Sequence, residues 1–426
     1  MASVSRFGGG RRELLEENLA SQGLADASAV RVDAALLASA LFLQRISLPV
    51  FGSTLGLDFV AATLIFGHQF ASGRLFIQYD RLLWFLLLVV AASASWLLNA
   101  DSKRTSYSLF LVMYSLFTLA RPSTPDQYKG TLRAFQFLVL ILSWLAIVQF
   151  LAHFVISPAR LVMFFGIIPD SLLTHPGEAV EAGVKSNGIF LSEASYLSLM
   201  GALGILVEIL EFRRPRYLLV ITLAFLLAYG GSGLSTLLLC LPLAAFVNPK
   251  AQLPAIVVAL FALLLFATGF IHLSMFTSRL GELEDPHASG FVRFVSSFWQ
   301  AADYFKTASL PELLFGKGPG FGFVRAAFYE TSSNSWFKLF LEYGVFGTFV
   351  FTCFLTSCFR RSQCPKPLLV ALIYNFLFTG SFGLIGSFTS LIMVVLCTLS
   401  RPAPRRLRLN ETDQYPSSLV TRSTAV

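Results

Sequence analysis

The amino-acid sequence predicts an all-α integral membrane protein, and the composition is the main reason. Of the 426 residues, 55% are hydrophobic, 43 are Phe and only 13% are charged, whereas an average soluble domain carries about 25% charged residues. The mean hydropathy is +0.69, and apolar runs recur from about residue 33 to residue 399. No stretch between these runs is long enough to bury a soluble core of its own. We therefore expect one polytopic helical domain.

The apolar runs predict about twelve transmembrane segments. A helix needs about 20 apolar residues to cross the hydrocarbon core of a bilayer. Short segments meet at "YGGSGLS" and at "TGSFGLIGS", which is typical of broken or re-entrant helices. The segments lie near residues 32–50, 55–73, 81–98, 106–120, 134–156, 189–211, 217–231, 233–248, 253–275, 335–359, 367–382 and 384–400.

The basic residues predict the orientation of the chain. The net charge is +8, from 32 Lys and Arg against 24 Asp and Glu. Roughly 21 Lys and Arg fall in the tails and loops of one side, against about ten on the other, so the short loops follow the positive-inside rule. We expect a cytoplasmic tail over 1–31, a membrane domain over 32–400 and a disordered cytoplasmic tail over 401–426. No RNA- or DNA-binding pattern is present, so no nucleic-acid partner is expected.

Two long outer loops are expected, at about residues 157–188 and 276–334, and the second carries amphipathic helices. Long loops beside one face are where membrane enzymes usually carry their chemistry. The cysteines fall inside predicted spans or in a cytoplasmic connection, where thiols stay reduced, so no disulfide is expected. They are Cys240, Cys353, Cys358, Cys364 and Cys397.

The second outer loop contains an apolar pattern at helical spacing between Gly290 and Phe305. This pattern predicts an amphipathic helix at the membrane surface. Arg293 falls in its first turns, and two interpretations are open. Its guanidinium either forks onto two phosphate oxygens or snorkels to the interface as an ordinary flanking arginine.

The stretch "GKGPGFGF", residues 316–323, packs four glycines and a proline into eight positions. One interpretation is a tight turn whose backbone, including Gly318 and Gly320, closely approaches a ligand or another helix. The other is a structural turn that joins the surface helix to the next transmembrane helix. It is not a Walker loop, because no Gly-Lys-Ser/Thr follows.

The tenth segment opens with "SSNSWFKLFLEYGVFG". Asn334 or Ser335 is suited to cap the helix. Lys338 and Glu342 lie four residues apart on one helix face, a spacing that permits an ion pair. Glu342 lies about 10 Å past Ser335 at about 1.5 Å per residue, so it requires a partner within the hydrocarbon zone. We expect that partner to be Lys338.

Together these segments resemble the signature of the O-antigen ligase and polymerase superfamily. That signature has an outer loop with arginines, then Gly-x-Gly-x-Gly, a His-Asn pair and Leu-x-Glu-x-Gly-x-x-Gly, and this chain has "GKGPGFG", a Ser-Asn pair and "LFLEYGVFG". The sixth segment, "FLSEASYLSLMG", is similar to the Glu-Pro-Ser-Tyr motif of the polymerase branch, and "YGGSGLSTLLL" resembles the Ser-x-Ser/Gly-Leu segment. The resemblance covers about residues 80–395.

The resemblance implies a GT-C-like fold and a polymerase of undecaprenyl-diphosphate-linked oligosaccharide repeat units, for an exopolysaccharide or an O-antigen. Such an enzyme is a multi-pass protein of the bacterial inner membrane and acts at its periplasmic face. Its partners are the lipid-linked oligosaccharide, membrane lipid, a chain-length regulator and a repeat-unit flippase. No cofactor is implied. No metal is expected either, because the chain has no Asp-x-Asp and no His spacing typical of a zinc site.

The resemblance implies catalytic roles for Glu193, Arg279 and Arg293. The arginines would neutralise developing phosphate charge in a low-dielectric site. Three interpretations of Glu193 remain open. It accepts a proton from the attacking hydroxyl, which partial burial favours; it orients Arg279 or Arg293 as an ion pair; or it is simply exposed at the interface.

Further polar residues at the outer side are substrate-binding candidates. Arg45 either snorkels or faces the diphosphate, and His287 is a candidate replacement for the missing histidine of the His-Asn pair. The full set is Arg45, Ser192, Tyr196, His287, Gly318, Gly320, Asn334 and Glu342.

Two positions depart from the family pattern. Ser333 stands where the ligases carry the histidine, and a neutral hydroxyl is a poor base near pH 7, which argues against a ligase. Ala194 replaces the usual proline of the Glu-Pro-Ser-Tyr motif, so a milder kink is expected there. The alternatives are a ligase that transfers finished polysaccharide to an acceptor and a transporter of polysaccharide or lipid-linked sugar. A transporter is expected to have polar residues spread through its spans and an internal repeat.

Overall fold

Several helices of the chain are long and apolar enough to cross a membrane. A computed structural model describes residues 9–50, 53–100, 102–156, 168–169, 172–173, 185–269, 281, 283–286, 288, 290–291, 295–321, 334–360, 362–379 and 388–400. Within these residues five helical stretches pass the test of length and hydropathy, and four shorter apolar helices accompany them. The prediction of an all-α membrane protein is confirmed, and the count of twelve spans stays a prediction. The five are Tyr79–Leu98, Pro125–Ala152, Ala194–Phe212, Pro249–Ala267 and Ser335–Phe359.

The helices follow the predicted apolar runs closely. In chain order they are α1 (Gly9–Phe42), α2 (Leu57–Ala71), α3 (Tyr79–Leu98), α4 (Arg104–Ser115), α5 (Pro125–Ala152), α6 (Ala194–Val207), α7 (Pro215–Leu227), α8 (Gly231–Val247), α9 (Gln252–Ala267), α10 (Ser296–Thr307), α11 (Leu310–Phe315), α12 (Ser335–Phe359), α13 (Lys366–Tyr374) and α14 (Phe388–Thr398). A π-helical turn, Glu208–Phe212, extends α6, and another, Asn375–Thr379, extends α13.

Short strands join some of the helices. Strand β1 (Ser47–Val50) pairs antiparallel with β2 (Ser53–Gly56). Strand β3 (Phe76–Ile77) pairs antiparallel with β4 (Leu119–Pro122), which pairs parallel with β5 (Leu399–Ser400).

The first predicted segment, 32–50, is wrong at its carboxyl end, and its start as a membrane span stays a prediction. Helix α1 already begins at Gly9, inside the predicted tail, and it ends at Phe42. Residues 47–50 form strand β1 instead of helix. Pro49 contributes to this difference, because it lacks the amide proton that the interior of a helix requires and disfavours helical backbone at Leu48.

The helices α3 and α5 and the second half of α1 run in the same direction. The Arg121 guanidinium, just before α5, lies 2.7 Å from the Asp33 carboxylate of α1, and Thr131 in α5 donates to that carboxylate at 2.6 Å. Arg81, in the first turn of α3, donates to the carbonyl oxygen of Leu119 at 3.0 Å. We call this the basic end of the bundle. The carboxyl ends of the three helices therefore lie together at the other end, which we call the opposite end.

Arg81 is fully buried at the basic end. Besides Leu119, its guanidinium donates to the carbonyl oxygens of Phe117 at 3.3 Å and Cys358 at 3.1 Å. In the sequence Arg81 stands among the charged residues of a short loop. In the structure its side chain is buried and connects α3, the segment before α5 and the end of α12. Charge-assisted bonds to carbonyls are among the stronger hydrogen bonds, which is how a buried guanidinium is tolerated.

Helix α6 lies at the centre of the bundle and α9 at its periphery. The apolar stretch of α6 is 78% buried, whereas that of α9 is 11% buried, although both are strongly apolar. Helix α8 packs closely against α6. A Cβ atom on Gly233 would come within 2.3 Å of the Ser198 carbonyl oxygen. Glycine is therefore required at Gly233 for this close approach.

Helix α12 is broken at Gly344, where φ is 67° and ψ is −169°. Only glycine adopts this region of backbone conformation without large strain. The break separates an upper piece, Ser335 to Tyr343, from a lower piece, Val345 to Phe359. The backbone carbonyls just before the break lose their helical partners and become available to another segment.

Candidate functional site

The turn that precedes α6 is fixed by two buried amide side chains. Gln149, near the end of α5, donates to the Asn187 side chain at 2.9 Å and accepts from the backbone amides of Asn187 and Gly188 at 3.1 and 2.9 Å. Asn187 in turn donates to the Leu191 carbonyl at 2.7 Å. This network sets the path of the chain into α6 at the opposite end.

Arg45 is buried against this turn. Its guanidinium donates to the Ile189 carbonyl oxygen at 2.7 Å, and Ile189 has a positive φ of 67°, a strained conformation for a β-branched residue. The neighbouring Gln44 accepts from the Ser192 hydroxyl at 3.5 Å. Arg45 is fully buried, so its expected snorkelling to water is wrong. Its other expected role, facing a diphosphate, stays a prediction.

Glu193 occupies the N-cap position of α6, at the edge of the same turn. Its backbone is extended, and its side chain accepts a hydrogen bond from the Ser195 hydroxyl instead of capping a backbone amide. The carboxylate and the Tyr196 side chain are both partly exposed, and Ser192 is buried. The structure therefore brings Arg45, Ser192, Glu193 and Tyr196 to one short region of the opposite end.

Two of the motifs noted in the sequence are in direct contact. The Ser198 hydroxyl donates to the Gly230 carbonyl at 2.8 Å, and the Ser232 hydroxyl donates to the Ser195 carbonyl at 3.0 Å. The "SEASYLS" start of α6 thus packs on the "YGGSGLS" junction of α7 and α8. Sequence spacing alone gave no indication of these bonds, since their partners are 32 and 37 residues apart.

The glycine loop, which we define as Gly316 to Phe321, is seated on three neighbouring segments. Gly316, Gly318 and Gly320 all have positive φ values, of 79°, 93° and 69°. A Cβ on Gly318 would come within 2.0 Å of the Ser102 hydroxyl, and one on Gly320 within 2.5 Å of the Ser106 hydroxyl. Glycine is needed here both for conformation and for space. The interpretation as a close-approach turn against other helices is confirmed.

The glycine loop binds the carbonyls that the break in α12 releases. The amide of Lys317 donates to the Leu341 carbonyl at 2.8 Å, and the amide of Gly318 donates to the Glu342 carbonyl at 3.1 Å. At the end of α3, the Asn99 side chain donates to the Gly316 carbonyl at 3.1 Å. The loop therefore replaces the missing helical hydrogen bonds and fixes the upper piece of α12 against α3.

Glu342 is buried beneath this loop. Its carboxylate lies 3.7 Å from the Lys338 ammonium, one helical turn away, which confirms the predicted pair. The amide of Gly320 also donates to this carboxylate. Glu342 is only 1% exposed, and its Oε1 atom has no hydrogen-bond partner among the described residues. The glycine loop thus covers a buried carboxylate whose Oε1 atom faces the Lys338 ammonium.

Asn334 occupies the N-cap position of α12, but its side chain caps no amide. The residue is 1% exposed, and neither its Oδ1 nor its Nδ2 atom has a partner in the part of the chain that the structure describes. Its backbone amide donates to the Ser297 hydroxyl of α10 at 3.1 Å. A buried carboxamide without partners is costly, because both its donor and its acceptor have lost water. It is therefore a candidate ligand-binding group.

The surface helices α10 and α11 hold this region from one side. Ala301 and Tyr304 of α10 pack on Phe337 of α12, while Phe298 and Phe305 are exposed. An amphipathic helix was expected from Gly290 to Phe305 at the membrane surface. The observed α10 spans Ser296–Thr307, and Gly290, Phe291 and Val295 before it are also helical. The helix is confirmed, and its position at the membrane surface stays a prediction.

Helix α11 is anchored by Tyr304 and Glu312. The Tyr304 hydroxyl donates to the Glu312 carbonyl at 2.7 Å, and burial, helped by the Glu312 charge, raises the pKa of Tyr304 to about 12. Ser309 and Glu312 form a capping box. The hydrogen bonds from Ser309 lower the pKa of the Glu312 carboxyl. The phenol therefore remains a hydrogen-bond donor, and the carboxylate remains an acceptor, at neutral pH.

Three predicted site residues, Arg279, His287 and Arg293, lie outside the described residues, as does Ser333. The remaining eight form two groups at the opposite end, one around Glu193 and one around Glu342. Within the described part of the chain, no three His, Cys, Asp or Glu side chains are arranged to hold a metal ion. The sequence patterns did not identify Gln149, Asn187 or Asn99 as part of the site. The only indication of their roles in the sequence is that polar amide side chains stand at the ends of apolar runs.

Comparison with known proteins identifies no relative of this chain. The chain matches no protein-family model, no curated protein and no solved structure.

Proposed function

We propose that the chain is a glycosyltransferase of the O-antigen ligase and polymerase type that polymerises oligosaccharide repeat units carried on a polyprenyl diphosphate. The observation that carries the proposal is the buried Asn334 amide, whose donor and acceptor atoms are both without partners in the described residues. A sugar hydroxyl also donates and accepts, so it is the complementary ligand for a carboxamide. The Glu342 carboxylate, two turns along the same helix, adds an acceptor, since its Oε1 atom makes no hydrogen bond among the described residues and faces only the Lys338 ammonium at 3.7 Å.

In the proposed reaction, a hydroxyl oxygen of one lipid-linked repeat attacks the anomeric carbon of another. The bond between that carbon and the diphosphate oxygen breaks, and the polyprenyl diphosphate leaves with the electron pair. The hydroxyl proton passes to a base. Glu193 is suited to be that base, since its partly exposed carboxylate lies at a helix start beside a hydrogen-bonding serine. The alternative role of Glu193, to orient an arginine, is retained.

Charge on the leaving diphosphate requires cations that are fixed in place. Arg279 and Arg293 remain the proposed cations, on the basis of the family resemblance, and Arg45 is proposed to bind the same group from the segment after α1. Preorganised cations in a site of low dielectric stabilise developing charge without reorganising. No step of this scheme uses a metal ion.

We also propose the orientation. The basic end faces the cytoplasm, and the opposite end, with Glu193 and Asn334, faces the periplasm of a bacterial inner membrane. Four basic residues lie in or beside the short connections at or near the basic end: Arg31, Arg74, Arg121 and Lys250. Short loops rich in Lys and Arg favour the cytoplasmic side.

Deletion of the gene in the bacterium that makes the chain tests this function. A polymerase deletion is expected to leave single-repeat glycan on the lipid carrier, measured by gel electrophoresis and mass spectrometry. Long chains that remain on the carrier would indicate a ligase instead. Repeat units trapped on the cytoplasmic leaflet, with no polymer, would indicate a transporter. Complementation with Asn334→Ala then distinguishes a role of Asn334 in the site from a role in folding. We expect this variant to insert stably into the membrane and to make no polymer.

A further inference from the structure

A cleft between α1 and α2 lies outside the site described above. It has a volume of about 510 Å³ and is formed by one face of each helix and by a residue that follows α2 closely. Its walls are Ser28, Arg31, Val32 and Ala35 of α1, and Leu64, Ile65, His68 and Gln69 of α2, with Arg74. The cleft belongs to the basic end, next to the pair of Asp33 and Arg121.

The positive charge of this cleft is not neutralised within the described residues. No carboxylate lines it, and none is within ion-pair distance of Arg31 or Arg74 in the part of the chain that the structure describes. The two nearest acids along α1 are engaged elsewhere: Asp26 accepts from Gln127, and Asp33 is bound by Arg121. The cleft thus presents two unneutralised guanidinium groups.

The two arginine side chains of the cleft are positioned to bind an anionic group. The Arg74 guanidinium donates to the Ser28 hydroxyl at 3.4 Å, which holds one arginine at the mouth. Both Arg31 and Arg74 are exposed. Guanidinium groups fork onto two oxygens of a phosphate, so a pair of them fits a phosphodiester anion.

The opposite part of the cleft is apolar. Ala35, Leu64 and Ile65 continue the wall away from the arginines, and Leu64 is 68% exposed. Exposed apolar surface marks an interaction site, and acyl chains are the apolar medium that surrounds the helices of a membrane protein. A ligand that fills the whole cleft therefore has an anionic head and a hydrocarbon tail.

We propose that this cleft binds an anionic glycerophospholipid, with the phosphodiester on Arg31 and Arg74 and an acyl chain along Ala35, Leu64 and Ile65. Basic pockets between membrane helices near the cytoplasmic surface are suited to such headgroups. A free phosphate would use the arginines but leave the apolar wall uncovered. The site is independent of the proposed glycosyltransferase activity.

Native mass spectrometry of the full chain in detergent, titrated with phosphatidylglycerol, tests the proposal. We expect Arg31→Gln with Arg74→Gln to weaken phosphatidylglycerol binding about twenty-fivefold, from about fivefold for each arginine near a lipid phosphate. Leu64→Gln is expected to weaken it as well, because it places a polar amide against the acyl chain. The exposed Arg216→Gln, in the first turn of α7, is the matched control and keeps wild-type affinity.

Three results would overturn the site. The double arginine variant could bind phosphatidylglycerol as tightly as wild type, phosphatidylcholine could bind equally well, or inorganic phosphate could displace the lipid at equal concentration. The melting temperature of each variant in lipid-free detergent is measured first. A double variant that is folded by this criterion and has lost binding supports the proposal. If it is unfolded, the single variants Arg31→Gln and Arg74→Gln decide the question in the same titration.

Discussion

Gly316 and Gly344 meet backbone to backbone. A Cβ atom on Gly344 would come within 2.6 Å of the Gly316 amide nitrogen, and a Cβ on Gly316 would come within 2.4 Å of the Glu342 carbonyl oxygen. Each glycine thus leaves room for the other segment. The glycine loop and the break in α12 form a single unit, because neither conformation has its hydrogen-bond partners without the other.

We expect Gly344→Ala to destabilise the protein by about 3 kcal/mol or more. The φ of 67° and ψ of −169° cost a residue with a side chain about 1–3 kcal/mol, and the clash with Gly316 adds to this. Thermal unfolding in detergent measures the effect. Gly67→Ala is the control, because Gly67 lies in α2 and a Cβ atom added there would have nothing within 4 Å. It is expected to be neutral or to stabilise by about 0.5–1 kcal/mol. Equal melting temperatures for Gly344→Ala and Gly67→Ala would contradict the conclusion that the glycine loop and the break in α12 form a single unit.

For Glu193→Gln we expect the rate of polymerisation in a reconstituted assay to fall about 10²- to 10⁴-fold if Glu193 is the base. In that case wild type is expected to lose rate towards acidic pH as the base is protonated, and the variant is expected to lack this fall. If Glu193 only orients an arginine, the rate falls but the shape of the pH profile is kept. Glu284→Gln, an exposed acid of the second outer loop, serves as control. Wild-type rates for Glu193→Gln across the pH range would remove it from the mechanism.

Asn334→Ala is expected to lower polymerisation at least about fivefold, since losing a hydrogen bond to a buried ligand group costs about 1–3 kcal/mol. Its thermal stability should be equal to or above that of wild type, because the substitution removes two buried polar atoms without partners among the described residues. This combination separates a binding role from a structural one. Asn248→Ala, at the helix end beside Lys250, is the control and keeps full activity. A large loss of stability in Asn334→Ala would argue for a structural role.

Arg81→Gln is expected to destabilise the protein by about 3 kcal/mol or more, because buried carbonyls at Phe117, Leu119 and Cys358 lose a donor. The exposed Arg133→Gln in α5 is expected to stay within about 0.5 kcal/mol of wild type. Thermal unfolding in detergent checks both variants. Similar melting temperatures would show that Arg81 contributes little to stability.

Arg279→Ala and Arg293→Ala are each expected to abolish polymer while the protein stays in the membrane. Arg293→Lys is expected to rescue only partly, since an ammonium cannot reproduce the guanidinium fork on phosphate. Polymer length on gels, with membrane levels by immunoblot, checks these variants. Normal polymer in both alanine variants would remove the arginines from the mechanism.

The sequence predicted the helices well because burial in lipid leaves a simple signal, a long apolar run. It failed at residues 47–50, where an apolar run continues into a strand and only Pro49 marks the change. The pair of Lys338 and Glu342 was predictable because helical spacing is local. The break at Gly344 was not, since its cause is the glycine loop, whose Gly316 approaches from an earlier part of the chain. The Gln149 and Asn187 network is likewise a non-local arrangement.

The burial of Arg81 has a consequence for how the chain is made. Its guanidinium is charged from the moment that α3 leaves the ribosome, but its bond to Cys358 spans 277 residues. At about 5–20 residues per second, roughly 15–60 s of synthesis pass before that carbonyl exists. During this interval the Arg81 guanidinium has the carbonyls of Phe117 and Leu119 within reach but not that of Cys358, so we expect water, lipid phosphate or the translocation machinery to take the place of the third partner.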